Sequence, residues 1–200
     1  MGKGESAIFA GRDWLAWIGP GVPCGAAGWF GLQAAASSAS MGAMSSDPRP
    51  PKIPESVLVV IYTPQREVLL IERADAPGFW QSVTGSKDAL EESLVETCVR
   101  EVGEETGIAI GTATVPLSAL RDCALVNVYE IYPRWRARYA PGVTHNTEHV
   151  FALEVPAGTR VTLAPREHTA LQWLPWRAAA DACFSPSNAE AILHLPRWWT

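Results

Sequence analysis

Gly85-Ser-Lys-Asp-Ala-Leu-Glu-Glu-Ser-Leu-Val-Glu-Thr-Cys-Val-Arg100-Glu101-Val-Gly-Glu104-Glu105-Thr-Gly107-Ile108 places three carboxylates on little more than one helical turn. At about 100° per residue, Glu101, Glu104 and Glu105 share one arc, while Leu94, Val95, Cys98, Val99 and Val102 fill an adjacent arc suited to a core. The spacing predicts a helix with an acidic side and an apolar side. Asp88-Ala-Leu-Glu91 fits a capping box at its start, and Gly107 fits the left-handed residue that closes a helix.

Like charges three and four residues apart repel, more strongly in a cleft than on an open surface. Arg100 offsets part of that conflict. A hard divalent cation held by carboxylate oxygens removes it, and Mg²⁺ takes a few carboxylates together with waters and substrate phosphate oxygens. Taken alone, the pattern also describes a solvated acidic face on which Arg100 and Glu104 form an i,i+4 pair.

Arg100-Glu-Val-Gly-Glu-Glu-Thr-Gly-Ile108 resembles the second half of the Nudix box. That pattern runs Gly, five residues, Glu, seven residues, Arg-Glu, an apolar residue, any residue, Glu-Glu, any residue, Gly and an apolar residue. This half matches throughout. Glu92 stands at the required distance before Arg100 but one residue too far from Gly85, whereas Glu91 keeps the spacing from Gly85. The extra residue precedes the predicted helix, so it lengthens the loop and leaves the acidic face in register.

The rest of the chain agrees with a small enzyme. Two hundred residues allow one domain of about 150 residues plus an extension. A net charge of -5 offers no broad attraction for nucleic-acid polymers. A small polyphosphate is easier to accommodate, since metal and a few basic side chains meet its charge locally. Cys24, Cys98, Cys123 and Cys183 show no C-x-x-C spacing, and Cys98 lies on the apolar helix face, which fits a reducing, cytoplasmic compartment. His145, His149, His168 and His194 lack zinc spacing.

Residues 1–44 differ in character. No charged residue occurs between Asp13 and Asp47, and Gly, Ala, Ser and Trp abound. Gly19-Pro-Gly-Val-Pro23 breaks any run long enough to span a membrane, and Lys3, Arg12 and Ala36-Ser-Ser-Ala-Ser40 imitate a signal peptide poorly. A disordered extension, or sequence upstream of a start at Met44 with Met41 close by, fits better. Residues 45–200 are expected to form the domain.

Val57–Tyr62 and Val68–Ile71 predict two buried strands around Thr63-Pro-Gln-Arg66. Further strands are expected near Gln81–Thr84, Ala124–Tyr132, His149–Val155 and Thr169–Leu174, with helices near Trp176–Cys183 and Ser187–His194. Strands around one central helix, with more helix at the end, fit an α/β/α sandwich on a mixed β-sheet. The Nudix resemblance implies the same fold.

Outside the box, Phe79–Gly85, Arg138–Thr144 with Asn146-Thr-Glu148, and Glu167-His168 before Trp173-Leu174 resemble the dihydroneopterin triphosphate pyrophosphatase branch of the family. The branch implies Mg²⁺-dependent hydrolysis of dihydroneopterin triphosphate to the monophosphate and pyrophosphate, a step toward folate. In that reading Glu101 and Glu105 hold metal, Glu104 completes the shell or binds a second ion, and Gly85 lends its carbonyl. Arg100 orients a carboxylate, and Glu167, with Glu148 as the alternative, supplies a further ligand or base. Lys52, Arg73 and Thr84 meet the phosphates. Tyr129, Tyr132 and Trp135 offer a face for the pterin, and Ser185 near Asn188 closes its pocket unless Ser187 caps a helix there. Oligomerisation beyond a monomer or weak homo-oligomer is not expected. Two other readings use the same residues: a Nudix pyrophosphatase acting on nucleoside triphosphates, and a module that binds nucleotides without cleaving them.

Overall fold

A computed structural model describes residues 50–199. The expectations for residues 1–44, including Met41, Met44 and Cys24, lie outside the described residues. The strands are β1 (Glu55–Tyr62), β2 (Glu67–Arg73), β3 (Trp80–Gln81), β4 (Val83–Ser86), β5 (Leu120–Glu130), β6 (His145–Glu154) and β7 (His168–Pro175). The helices are α1 (Leu94–Thr106), α2 (Trp176–Ala182) and α3 (Pro186–His194), with short 3-10 turns at Leu117–Ala119, Pro133–Arg138 and Leu195–Arg197. The seven strands form one sheet in the order β3-β2-β1-β6-β5, with β4 also pairing to β1 and β7 to β2. β1 and β6 run parallel and the other pairs antiparallel, so the sheet is mixed, as expected.

Period-2 alternation in β1 assembles both sides of the sandwich. Val57, Val59 and Ile61 pack with Cys98 and Val102 of α1. Leu58, Val60 and Tyr62 face the other way, onto Ala179 of α2 and Ala191 and Ile192 of α3. Burial on both faces is why β1 reads as a continuous apolar run. Each fully buried Val, Leu or Ile contributes about 1.5–3 kcal/mol before chain entropy is charged against it.

Four local readings change. First, α1 begins at Leu94, and its capping box is Ser93 with Glu96 in place of Asp88 with Glu91. The Ser93 hydroxyl accepts from the Glu96 N–H at 3.2 Å, and the Glu96 carboxylate accepts from the Ser93 N–H at 2.8 Å. Second, Val95 is 40% exposed, because Cys98 and Val102 carry the contact with the sheet. Third, the strand expected near Gln81–Thr84 divides into β3 and β4, as Ser82 turns its hydroxyl to Asn188 Oδ1 at 2.9 Å. Fourth, the cap of α3 is Ser185, whose hydroxyl accepts from the Asn188 N–H at 3.3 Å, and not Ser187. Gly107 does end α1, at φ 69°.

The position of the helix start is testable. Ser93→Ala should cost about 1 kcal/mol in urea unfolding, whereas Asp88→Ala should stay within about 0.5 kcal/mol. The reverse ranking would restore the earlier cap.

Candidate active site

Gly85 on β4 lies directly under Glu101 of α1. A Cβ at this position would overlap the Glu101 carboxyl group, so glycine is what lets the helix bring that carboxylate onto the strand. The Glu101 side chain is 13% exposed, that of Glu105 one turn later 6%, and that of Glu104 60%. The acidic side is thus graded: two carboxylates face inward and one stands at the rim.

Arg100 holds this arrangement. Its guanidinium donates to Glu92 at 2.9 and 3.2 Å, to Glu101 at 2.8 Å and to the Ser86 carbonyl at 2.9 Å, and reaches Glu104 at 3.4 Å. Burial works against its charge, yet the bonds to Glu92 and Glu101 prevail and raise its pKa. Glu92, and not the exposed Glu91, therefore occupies the position of the box glutamate. The inserted residue is absorbed between Ser86 and Ser93, as the spacing implied. Glu92 is held below the usual carboxylate range chiefly by its bond from Arg100.

Glu101 behaves in the opposite way. Burial pushes its pKa up to about 7; Arg100 works against the rise and Glu105 and Glu104 add to it. Burial raises Glu105 as well, opposed by His168. Glu105 Oε2 is buried without a hydrogen-bond partner among the described residues. Ligand atoms of Glu105, Glu167 and His168 all lie within 4.8 Å of one another, with His168 Nε2 3.3 Å from Glu105 Oε1 but not aligned for a hydrogen bond. The loop before β7 is strapped in place by backbone bonds from Thr162 N–H to the Thr106 carbonyl at 2.8 Å and from Ala74 N–H to the Glu167 carbonyl at 2.9 Å. An unsatisfied buried carboxylate oxygen beside further carboxylates is a donor set that fits a hard divalent cation.

These groups open into a cleft of about 1250 Å³ that also receives Lys52, Arg73, Thr84, Tyr129, Tyr132, Trp135, Glu148 and Ser185. Lys52 is tied at the backbone, its N–H donating to the Arg138 carbonyl at 2.8 Å. Burial and then Arg138 lower its pKa, while Glu101 and Glu167 work to raise it. Arg73 is gripped by Asp75 through bonds of 2.8 and 2.9 Å and lies against Trp135, 4.9 Å from its centroid. Thr84 Oγ1 accepts from Gln81 at 3.2 Å. Tyr132 and Trp135 meet edge to face at 5.4 Å at the mouth, whereas the Tyr129 hydroxyl lies deeper and accepts from Asn146 at 3.1 Å. Ser185 lines the cleft while serving as the α3 cap.

Asn146 and His168 stand in segments that resemble the branch but carry no individual role in the sequence reading, and Asn127 is not singled out there at all. His168 has no metal-ligand spacing in sequence because the strap, and not a local motif, sets it beside Glu105. Asn127 leaves a trace in that it interrupts the apolar run Leu125-Val-Asn-Val-Tyr129, whereas Asn146 lies in the polar run Thr144–His149 and leaves none of that kind.

Comparisons with known proteins agree with this geometry. A family model described as the NUDIX domain matches residues 52–195. The chain belongs to the Nudix family. It is 42% identical over 142 residues to the dihydroneopterin triphosphate diphosphatase of Escherichia coli (strain K12), covering 70% of this chain and 91% of that protein. The Haemophilus influenzae protein of the same name is 40% identical over 139 residues, covering 69% of this chain and 84% of that one. The solved structure of the E. coli dihydroneopterin triphosphate pyrophosphohydrolase superposes with a TM-score of 0.64 at 42% identity, over 71% of this chain and 94% of that chain.

The raised pKa of Glu101 has a definite sign. The folded chain holds this proton more tightly than the unfolded one, so the stability it contributes is full below pH 4.5 and is lost as pH rises through about 7. In chelator, Glu101→Gln should therefore gain on the wild type as pH rises through that window, by about 3 kcal/mol, read by urea unfolding. Mg²⁺ should raise the wild-type melting temperature by an amount that grows with pH. A gap between the two proteins that does not change with pH would contradict the assignment.

Proposed function

We propose that this enzyme hydrolyses dihydroneopterin triphosphate to dihydroneopterin monophosphate and pyrophosphate, water adding across the phosphoanhydride bond between the α and β phosphoryl groups. The observation that carries this reading is that the inward pair Glu101 and Glu105 shares one cleft with Lys52, Arg73 and the aromatic side chains Tyr129, Tyr132 and Trp135, in a chain 42% identical to a diphosphatase of that name. The acidic signature is whole, which favours a catalyst over a module that only binds.

In this reading Glu101 and Glu105 hold Mg²⁺, Glu167 adds a carboxylate from the strapped loop, and Glu104 serves at the rim. When bound, the ion would neutralise phosphate charge and make an attacking water more acidic. Arg100 keeps Glu101 and Glu92 in orientation by charge-assisted hydrogen bonds. Lys52 and Arg73 meet the polyphosphate, and Asp75 fixes the direction of the Arg73 fork. Thr84 offers a hydroxyl beside Gly85. Tyr132, Trp135 and Tyr129 bound the ring end, and Ser185 shapes its far wall. Free Cys98, Cys123 and Cys183 suit a cytoplasmic setting, and no helix among the described residues is long and apolar enough to cross a membrane.

Pyrophosphate release with Mg²⁺ should give a higher kcat/KM for dihydroneopterin triphosphate than for GTP, dATP or 8-oxo-dGTP. A nucleotide preference would overturn the substrate, and no release from any of them would overturn the enzyme. Glu101→Gln and Glu105→Gln should each lower kcat by about two orders of magnitude or more with the fold retained by circular dichroism. Near-normal turnover in both would remove the assigned metal site.

A further inference from the structure

β5 and β6 carry a polar strip on the face they turn to α3. Tyr129 pairs in register with Asn146 and Asn127 with Glu148, so two polar rungs follow each other, and β1 places the buried Ser56 opposite Glu148. Glu148 is 4% exposed and Asn146 2%. Burying a carboxylate is costly unless donors meet its oxygens, and a carboxylate has about four lone-pair sites. Asn127 Nδ2 supplies one bond, to Oε1 at 3.3 Å. Burial raises the Glu148 pKa, opposed by Asn127 and Ser187, so the protein leaves this group only partly compensated.

Asn146 points the same way. Its amide nitrogen donates to the Ser56 hydroxyl at 2.6 Å and to the Tyr129 hydroxyl at 3.1 Å, while its buried oxygen has no partner among the described residues. Both hydroxyls can donate as well as accept, so turning the amide over would only exchange which atom is left over. Glu148 stands apart from the cluster formed by Glu105, Glu167 and His168, yet it lines the same cleft.

We infer that Glu148 is the residue that selects the ring of the substrate, by accepting hydrogen bonds from the ring N–H and exocyclic amine of a 2-amino-4-oxo pyrimidine edge, with Asn127 holding its carboxylate in place. The inference rests on the proposed reaction, since dihydropterin carries such an edge. Guanine shares it. Adenine presents an acceptor where this edge has a ring donor, and a carboxylate cannot pair with it. A site that hydrogen-bonds a substrate group discriminates strongly, because the analogue leaves buried polar groups unpaired. Glu148 is thereby assigned to recognition and taken out of the metal shell.

The test compares kcat and KM of wild type and Glu148→Gln on dihydroneopterin triphosphate, GTP and dATP. Glutamine keeps the shape but replaces one acceptor by a donor, which suits adenine better than pterin. The expected result is a fall of about 30-fold or more in the ratio of kcat/KM for dihydroneopterin triphosphate to that for dATP, carried mainly by KM, with a parallel fall for GTP over dATP. Equal losses on all three substrates, or a collapse of kcat at constant KM, would overturn the inference and return Glu148 to the metal or base role. Mg²⁺ titration of the same variant gives a second readout: unchanged metal affinity is expected, and a weakened one overturns it. If the wild type prefers GTP to the pterin, the substrate reading fails while the contrast between GTP and dATP still decides the role of Glu148.

Discussion

The acidic face depends on how Arg100 distributes its donors. One guanidinium binds the Ser86 carbonyl at the end of β4, Glu92 in the loop, and Glu101 on its own helix. Arginine offers five N–H donors spread over three nitrogens in a rigid plane, whereas the three donors of lysine share one nitrogen and could not make the two bonds to Glu92 together with those to Glu101 and Ser86. The length of the connection matters little once both ends of the loop are fixed in this way. The additional residue between Gly85 and Glu92 therefore changes the path of residues 86–92 without moving Glu101.

That anchor operates against a standing conflict. Glu101 and Glu105 are withdrawn from water beside each other, and both have their pKa raised by burial. A helix would not adopt this face for its own stability. The sheet core supplies what is needed to hold it: β1 is buried on both sides, and Cys98 and Val102 fasten α1 to it next to the carboxylates. Gly85 supplies the missing volume. The site is strained electrostatically and secure sterically, as expected where a cation completes the charge balance.

How much of this was legible follows from which contacts are local. The face of α1, its stop at Gly107, and the strands β1 and β2 were readable because period and turn chemistry are properties of neighbours in sequence. The start of α1 was not. Asp88 with Glu91 and Ser93 with Glu96 are equally good capping boxes on paper, and the choice falls to Glu92, which is drawn to Arg100 and accepts from the Asp88 N–H at 2.7 Å, making 88–92 a loop. Glu167 could be named from its resemblance, but its neighbour His168 is set beside Glu105 by backbone bonds of Thr162, Ala164 and Ala74, which have no signature in sequence. Ser185 was read as a pocket residue and proves to be a cap as well, two roles that the sequence alone could not combine.

The cleft divides its labour between different parts of the fold. The carboxylates and the Arg100 network sit on α1 and β4, whereas the polar rungs sit on β5 and β6, facing the start of α3. These parts meet through β1, which pairs with β4 on one side and β6 on the other. In the proposed reading, hydrolysis of the phosphoanhydride draws on the first set whatever ring is attached, and selection of the ring draws on the second. A substitution on β5 or β6 can therefore alter which ring is accepted while Glu101 and Glu105 stay in place, because Cys98 and Val102 fasten α1 to the other face of the sheet. Conversely, an intact acidic helix says nothing about the ring. The identity of the substrate has to be sought in the rungs at Asn127, Asn146 and Glu148, where a buried carboxylate and a buried amide each have hydrogen-bonding capacity that the protein itself leaves unused.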